Sequence, residues 1–304
     1  MPQEGSRNPK IPREALEANS HGNWCKDNKR EQEAELWYLE AIRICPGYEH
    51  PWFNLGVQYK WQHRWQDSLR CSREAAKLGA TQEDRFPSFW NMGIAATALG
   101  DWESAREAWK GCGLDVPDGV GPPTVSKSMA PVRLNVTQES PEVVWCICMD
   151  PARAIIDSIP LPESGHRRGD TVLIDGEPKG YRERRGEKVP VFEEIILLER
   201  SGKPTFTAHL NAPGPDDVKD LDELEGARGA VAEDWGENVR YLCKACSEGF
   251  PGARHDHELY DSRGWGRTRK VGISAPDEKA AKALLDEWVK KRPERWWTEL
   301  KLAL

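Results

Sequence analysis

No stretch of this 304-residue sequence approaches the run of about 20 apolar residues that a membrane-spanning helix needs. Residues 1–13 are polar, contain proline and lack the apolar centre of a secretory signal, so residues 1–14 read as a disordered lead-in. Positive charge is not in excess either. Lys and Arg number 43 against 50 Asp and Glu, a net charge of −7, which argues against a general binder of nucleic acid or of a membrane surface. Also missing are a phosphate-binding Gly loop, a dinucleotide fingerprint and a Ser-His-Asp ordering, the usual marks of several enzyme classes. The eight cysteines are scattered, several at positions that want a small apolar residue, and read as reduced thiols of a cytoplasmic protein.

What is present begins with tryptophan. Eight of the fourteen lie before residue 110, where pairs of helices need bulky wedges. The run Trp52-Phe53-Asn54-Leu55-Gly56-Val57-Gln58-Tyr59 places Trp52, Leu55 and Tyr59 on one helical face, with Gly56 free to let a partner helix approach. Ser68 and Ala75 are small where a second helix would cross, and Arg64-Trp65-Gln66-Asp67 fits the connection of a hairpin. One period of 34 residues upstream, Gly22, Ala34, Tyr38, Ala41 and Pro46 occupy the corresponding positions, while Ala18, His21 and Cys25 replace the Trp, Leu and Tyr. Downstream, after a three-residue insertion near 81–84, Phe89, Met92, Gly93, Ala105, Trp109, Cys112 and Pro117 fit again, with Leu99-Gly100-Asp101-Trp102 as the turn.

This fixed register resembles the tetratricopeptide repeat (TPR) and covers roughly residues 15–119. The resemblance implies an all-α superhelix of about three repeats whose first helices line a groove that holds a protein or peptide partner. On that groove the template puts Asn19, Asn23, Lys26, His50, Phe53, Asn54, Val57, Lys60 and Asn91. In TPR proteins that clamp a C-terminal carboxylate, Asn and basic residues recur at set positions of this face. Asn23 and Asn54 match the amide positions, whereas the cation positions fall on Asn19, Pro87 and Asn91, so the charge is missing. The groove is therefore expected to grip backbone through amides, without a carboxylate end. A purely structural role for Asn54 and Asn91, which also follow the repeat consensus, stays open.

Residues 115–123, dense in Gly and Pro, break the helical pattern like a linker. No polar cap follows the last helix, so the apolar face around Ala108 and Trp109 is expected to dock onto what comes next. Residues 124–200 read as a β-rich segment, a small barrel or a curled sheet, although Glu193-Glu194 could also open a helix. Residues 201–304 show the order strand, helix, strand, strand, helix, strand, with the second strand expected at 239–243; that is the order of a ferredoxin-like module. The chain as a whole is expected to be an α+β multidomain protein.

Cys243-Lys244-Ala245-Cys246, followed by His255-Asp256-His257, carries the sharpest chemistry. Two thiolates from one turn and two imidazoles from an extended segment complete the donor set of a tetrahedral, structural zinc site. The spacing departs from that of a zinc finger, and uncoordinated residues or a redox pair are the alternatives. Cys146 and Cys148 share one face of a strand and read as core. Arg168-Gly169-Asp170 reads as a turn. The function these features suggest is an intracellular adaptor that binds a protein or peptide partner, with no catalytic residues. The rivals are a zinc-dependent enzyme in the C-terminal half, disfavoured because four protein ligands leave no open position, and an immunity or antitoxin protein whose acidity suits a basic target.

Overall fold

The computed structural model describes residues 11–125, 127–136, 142–184, 187–235 and 266–304. The chain divides into two compact units, with the boundary between Val125 and Ser126. The first unit is helical and the second rich in strands.

In the first unit the helices are α1 (Arg13–Asp27), α2 (Glu31–Ile44), α3 (Glu49–Trp61), α4 (Trp65–Leu78), α5 (Gln82–Leu99) and α6 (Trp102–Gly111). They pack as the hairpins α1/α2, α3/α4 and α5/α6. The crossing of each hairpin is built on a glycine. A Cβ on Gly22 would lie 2.5 Å from the Tyr38 ring, one on Gly56 would lie 2.6 Å from Ser72 Oγ, and one on Gly93 would fall on the Trp109 indole. Both the glycines and the residues they meet recur at spacings of 34 and 37. The turns repeat at the same spacings. Lys29, His63 and Gly100 have φ of 58°, 57° and 68°, and the following Arg30, Arg64 and Asp101 each donate N–H to the carbonyl five residues back at 2.9 Å. In the second hairpin this turn precedes Trp65, so residues 65–67 open α4 rather than connect the helices.

Helix α1 forms even though the template's large residues are absent. Ala18 and Cys25 are buried in their place, and His21 lies outside, its ring 4.9 Å from that of Trp37. The insertion near 81–84 lengthens α5 at its start, where Thr81 and Asp84 form a reciprocal capping box. Trp109 does not lie on an outward face of α6. Its ring is fully buried over Gly93, edge-on to Trp90 at 5.5 Å. The Gly- and Pro-rich segment is fastened along α6: Arg106 donates to the carbonyls of Pro117 (3.0 Å) and Gly121 (2.6 Å), and Lys110 pairs with Asp118 at 2.7 Å.

In the second unit, β1 (Ser128–Arg133), β2 (Val143–Asp150), β3 (Arg153–Ile156), β4 (Thr171–Asp175) and β7 (Phe192–Glu199) form a closed barrel. Neighbours are antiparallel except β1 and β7, which close the barrel in parallel. Alternation sends Val132, Val144, Cys146, Ala154, Ile156, Val172 and Ile174 into its core. A two-stranded hairpin, β5 (Tyr181–Arg184) and β6 (Glu187–Pro190), lies between β4 and β7 in the chain. Glu193 and Glu194 are in a strand, not a helix.

The remaining strands are β8 (Thr205–Asn211), β9 (Val231–Asp234), β10 (Thr268–Ser274) and β11 (Trp296–Leu302). They form an antiparallel sheet in the order β11-β8-β10-β9. Helix α7 (Pro215–Asp222) follows β8 and helix α8 (Glu278–Lys290) follows β10. Phe206, Ala208, Leu210, Val271 and Ile273 from the sheet meet Leu221, Leu284, Leu285 and Trp288 from the helices in one core. Sheet and barrel are linked within this unit. Ile159 donates its N–H to Glu233 Oε2 (2.6 Å), and its carbonyl accepts from Trp235 Nε1 (3.0 Å). The strand expected at 239–243 lies outside the described residues; Val231–Asp234, which the alternation did not single out, is a strand.

Candidate peptide-binding face

Asn54 on α3 sits between two residues of α1. Its Nδ2 lies 3.1 Å from Asn19 Oδ1 and 3.1 Å from Asn23 Oδ1, so both of its side-chain N–H groups are given to α1. The two helices are brought into register by the 34-residue repeat, which places their glycine crossings alike. Asn19 is itself buried and donates through Nδ2 toward the Tyr48 hydroxyl at 3.4 Å. Asn23 Oδ1 accepts a second hydrogen bond, from the Tyr38 hydroxyl at 2.9 Å. Burial pushes the Tyr38 phenol up to about 12, with Asp27 and Cys25 adding to the effect, so it is a protonated donor at neutral pH. Burial likewise raises the Tyr48 phenol, against the opposing Asn19 bond.

The consequence is an asymmetric pair. The two N–H groups on Asn23 Nδ2 and the carbonyl oxygen of Asn54 take no partner among the described residues, and Asn23 is exposed. Phe53 and Val57, also on α3, are half-buried, and Lys26 is exposed. His50 is exposed too, stacked on Tyr48 with ring centroids 5.3 Å apart and 3.6 Å from the Glu49 carboxylate.

Two expected members of the face are engaged internally. Asn91 is buried, and its Nδ2 donates to the Pro87 carbonyl one turn back in α5 (3.0 Å), so its amide serves its own helix. Lys60 is buried with its ammonium 4.9 Å from the centre of the Trp61 ring. The structure thus joins Asn19, Asn23 and Asn54 and leaves Asn91 out of that network. The two tyrosines that orient the network were not singled out as site residues. Tyr38 carried a signal, since the template put an aromatic there; Tyr48 carried none.

Cys243, Cys246, His255 and His257 lie outside the described residues. Among the described residues, no three His, Cys, Asp or Glu side chains gather as a metal would require, and no helix is long and apolar enough to cross a membrane.

No protein-family model matches the sequence, and no curated protein matches it. Among solved structures, the N-terminal domain of stress-induced protein-1 (STI-1) from C. elegans is similar at 18% identity and a TM-score of 0.30, over 32% of this chain and 79% of that one. The second TPR domain of Spaghetti (RPAP3), bound to the HSP90 peptide SRMEEVD, is similar at 17% identity and a TM-score of 0.30, over 33% of this chain and 90% of that one. A hypothetical protein from Neisseria gonorrhoeae is similar at 14% identity and a TM-score of 0.24, over 57% and 94% respectively. The helical third of the chain resembles TPR proteins, and the C-terminal half matches no named family.

Proposed function

We propose that the protein is a cytoplasmic interaction adaptor whose helical unit, read as three TPR units, holds an extended segment of a partner protein across α1 and α3. One observation carries this reading. Asn23 offers N–H donors and Asn54 an unoccupied carbonyl, and a hydrogen bond of 3.1 Å couples the two residues. A peptide group presents the complement, a C=O to accept and an N–H to donate. Phe53 and Val57 supply half-buried apolar surface beside the pair. The absence of cations at Asn19, Pro87 and Asn91 favours an internal segment over a free C-terminal carboxylate. Selection of a displayed library of internal peptides tests this. A selected peptide should shift the NMR signals of the Asn23 and Asn54 side-chain amides, and unmoved signals would reject the face.

The second unit is proposed to hold a ferredoxin-like module, on the strength of the order β11-β8-β10-β9 with helices after its first and third strands. Cys243, Cys246, His255 and His257 are proposed to bind one structural zinc there, because two thiolates and two imidazoles suit that ion better than calcium or magnesium. Elemental analysis should find about one zinc per chain, and Cys246→Ser should lower both metal content and melting temperature. A metal-free preparation that melts identically would rule the site out.

A further inference from the structure

The barrel carries a buried titratable pair far outside the amide network just described in sequence and chemistry. Glu194 on β7 is paired with Ile174 on β4, so it points to the side of the barrel core. It does so at the end of the barrel where β1 and β4 finish and β7 begins. His166 reaches it from just beyond a 3-10 turn, Pro162–Ser164. The His166 Nε2 is 2.7 Å from Glu194 Oε1, its Nδ1 is 2.8 Å from the Ser164 carbonyl oxygen, and both side chains are 7% exposed.

Carbonyl and carboxylate oxygens are both acceptors, whereas a neutral imidazole has a single N–H. Both contacts are satisfied at once only when the pair holds an extra proton. The same two acceptors also hold Asn135, a residue with φ of 52°: its N–H donates to Glu194 Oε2 (3.0 Å) and its Nδ2 to the Ser164 carbonyl (2.9 Å). The proton therefore sits at the centre of a closed arrangement that fixes the turn, the end of β1 and the start of β7 together.

We propose that His166 is a proton-operated latch on this end of the barrel: charged, it ties the Pro162–Ser164 turn to β7, and loss of one ring proton lets the turn and Asn135 go.

The groups around the ring agree on the direction. Burial opposes the charge, but the Glu194 hydrogen bond and charge, the Ser164 carbonyl and Asp170 outweigh it and raise the imidazole above its ordinary value. Asp170 is held by the N–H groups of Arg167 and Ser201 and keeps its place beside the ring. From β2, the Cys146 thiol is pushed far up by burial, with Cys148, Glu194 and Asp157 adding to it, so it stays neutral. Arg200 donates to the Gly165 carbonyl at 3.0 Å rather than to Glu194. A folded value above the unfolded one means that the latch contributes fully below the unfolded pKa of histidine. That contribution is lost as pH rises through the folded value.

The test uses the full chain, labelled with nitrogen-15. At pH 7 both ring nitrogens of His166 should be protonated, and the ring should titrate above free histidine. Over that same step the Asn135 amide should lose hydrogen-exchange protection by tenfold or more. H166Q, which keeps a donor toward Glu194 but has no titratable ring, should show no such step. A neutral ring at pH 7, a midpoint at or below that of free histidine, or an unchanged exchange step in H166Q would overturn the latch. Should H166Q fail to fold, the titration of the wild-type ring decides alone.

Discussion

Tyr38 fills the crossing over Gly22 and at the same time donates its hydroxyl to Asn23 Oδ1 at 2.9 Å. The residue that packs the first hairpin is thus the one that aims the candidate binding amide. Packing and function share a side chain, and a single atom separates them. Tyr38→Phe keeps the ring and removes that atom. It should cost about 1 kcal/mol of stability, the usual net worth of one hydrogen bond. It should also weaken peptide binding, because Asn23 is then free to turn. Calorimetric melting and peptide titration of the same variant check both; a variant that binds fully would show that Asn23 needs no such orientation.

The third crossing gives a prediction that concerns stability alone. Trp109 is fully buried with its ring directly over Gly93. Gly93→Ala places a methyl group where the indole lies, and a close-packed interior relaxes only in part. A loss of about 1–3 kcal/mol is expected, the usual cost of overpacking. Denaturant unfolding of the full chain measures it. An unchanged midpoint would mean that the helices can slide apart without loss.

In the second unit the corresponding weak point is a charge. Arg295, 2% exposed, donates Nε to Asp217 Oδ1 at 2.7 Å, Nη1 to the Trp288 carbonyl at 3.2 Å, and Nη2 to Asp220. Asp217, 1% exposed, also accepts from the Gly214 N–H at the start of α7. Arg295→Met leaves that carboxylate buried without its main cation and should cost about 3–5 kcal/mol. Adding Asp217→Asn removes the stranded charge while keeping an oxygen for Gly214, so the double variant should be more stable than the single one. Denaturant midpoints of the two variants decide; the reverse order would contradict the account.

The helical unit was largely legible in the sequence because its constraints are local and periodic. Gly22, Gly56 and Gly93 mark close crossings, and a close crossing tolerates few other residues, so the register showed even where α1 had lost its Trp, Leu and Tyr. What the period does not carry is the direction of individual side chains. It put Asn91 on the binding face, yet Asn91 turns to the Pro87 carbonyl, an acceptor in its own helix. It put Trp109 on an outward surface, yet the missing Cβ of Gly93 draws the ring inward. The strand-rich unit was less legible, since pairing there is set by contacts distant in sequence. The run Val231-Ala232-Glu233-Asp234 ends on two acids and looks unlike a strand until Arg269 is seen to pair with Asp234 and Ile159 to donate to Glu233. The closing contact between His166 and Glu194 left no mark in the sequence at all.

The most direct test of the peptide-binding account replaces Asn23 by Asp. That change keeps the oxygen that accepts from Tyr38 and Asn54 and removes only the two outward N–H groups, so the network and the fold should survive. The affinity of a selected internal peptide, measured by titration calorimetry against wild type and Asn23→Asp, should fall by about 1 kcal/mol or more, at least roughly fivefold. Melting temperature should hold within a degree or two. Equal affinity for the two proteins would contradict the claim that Asn23 and Asn54 together read a peptide group.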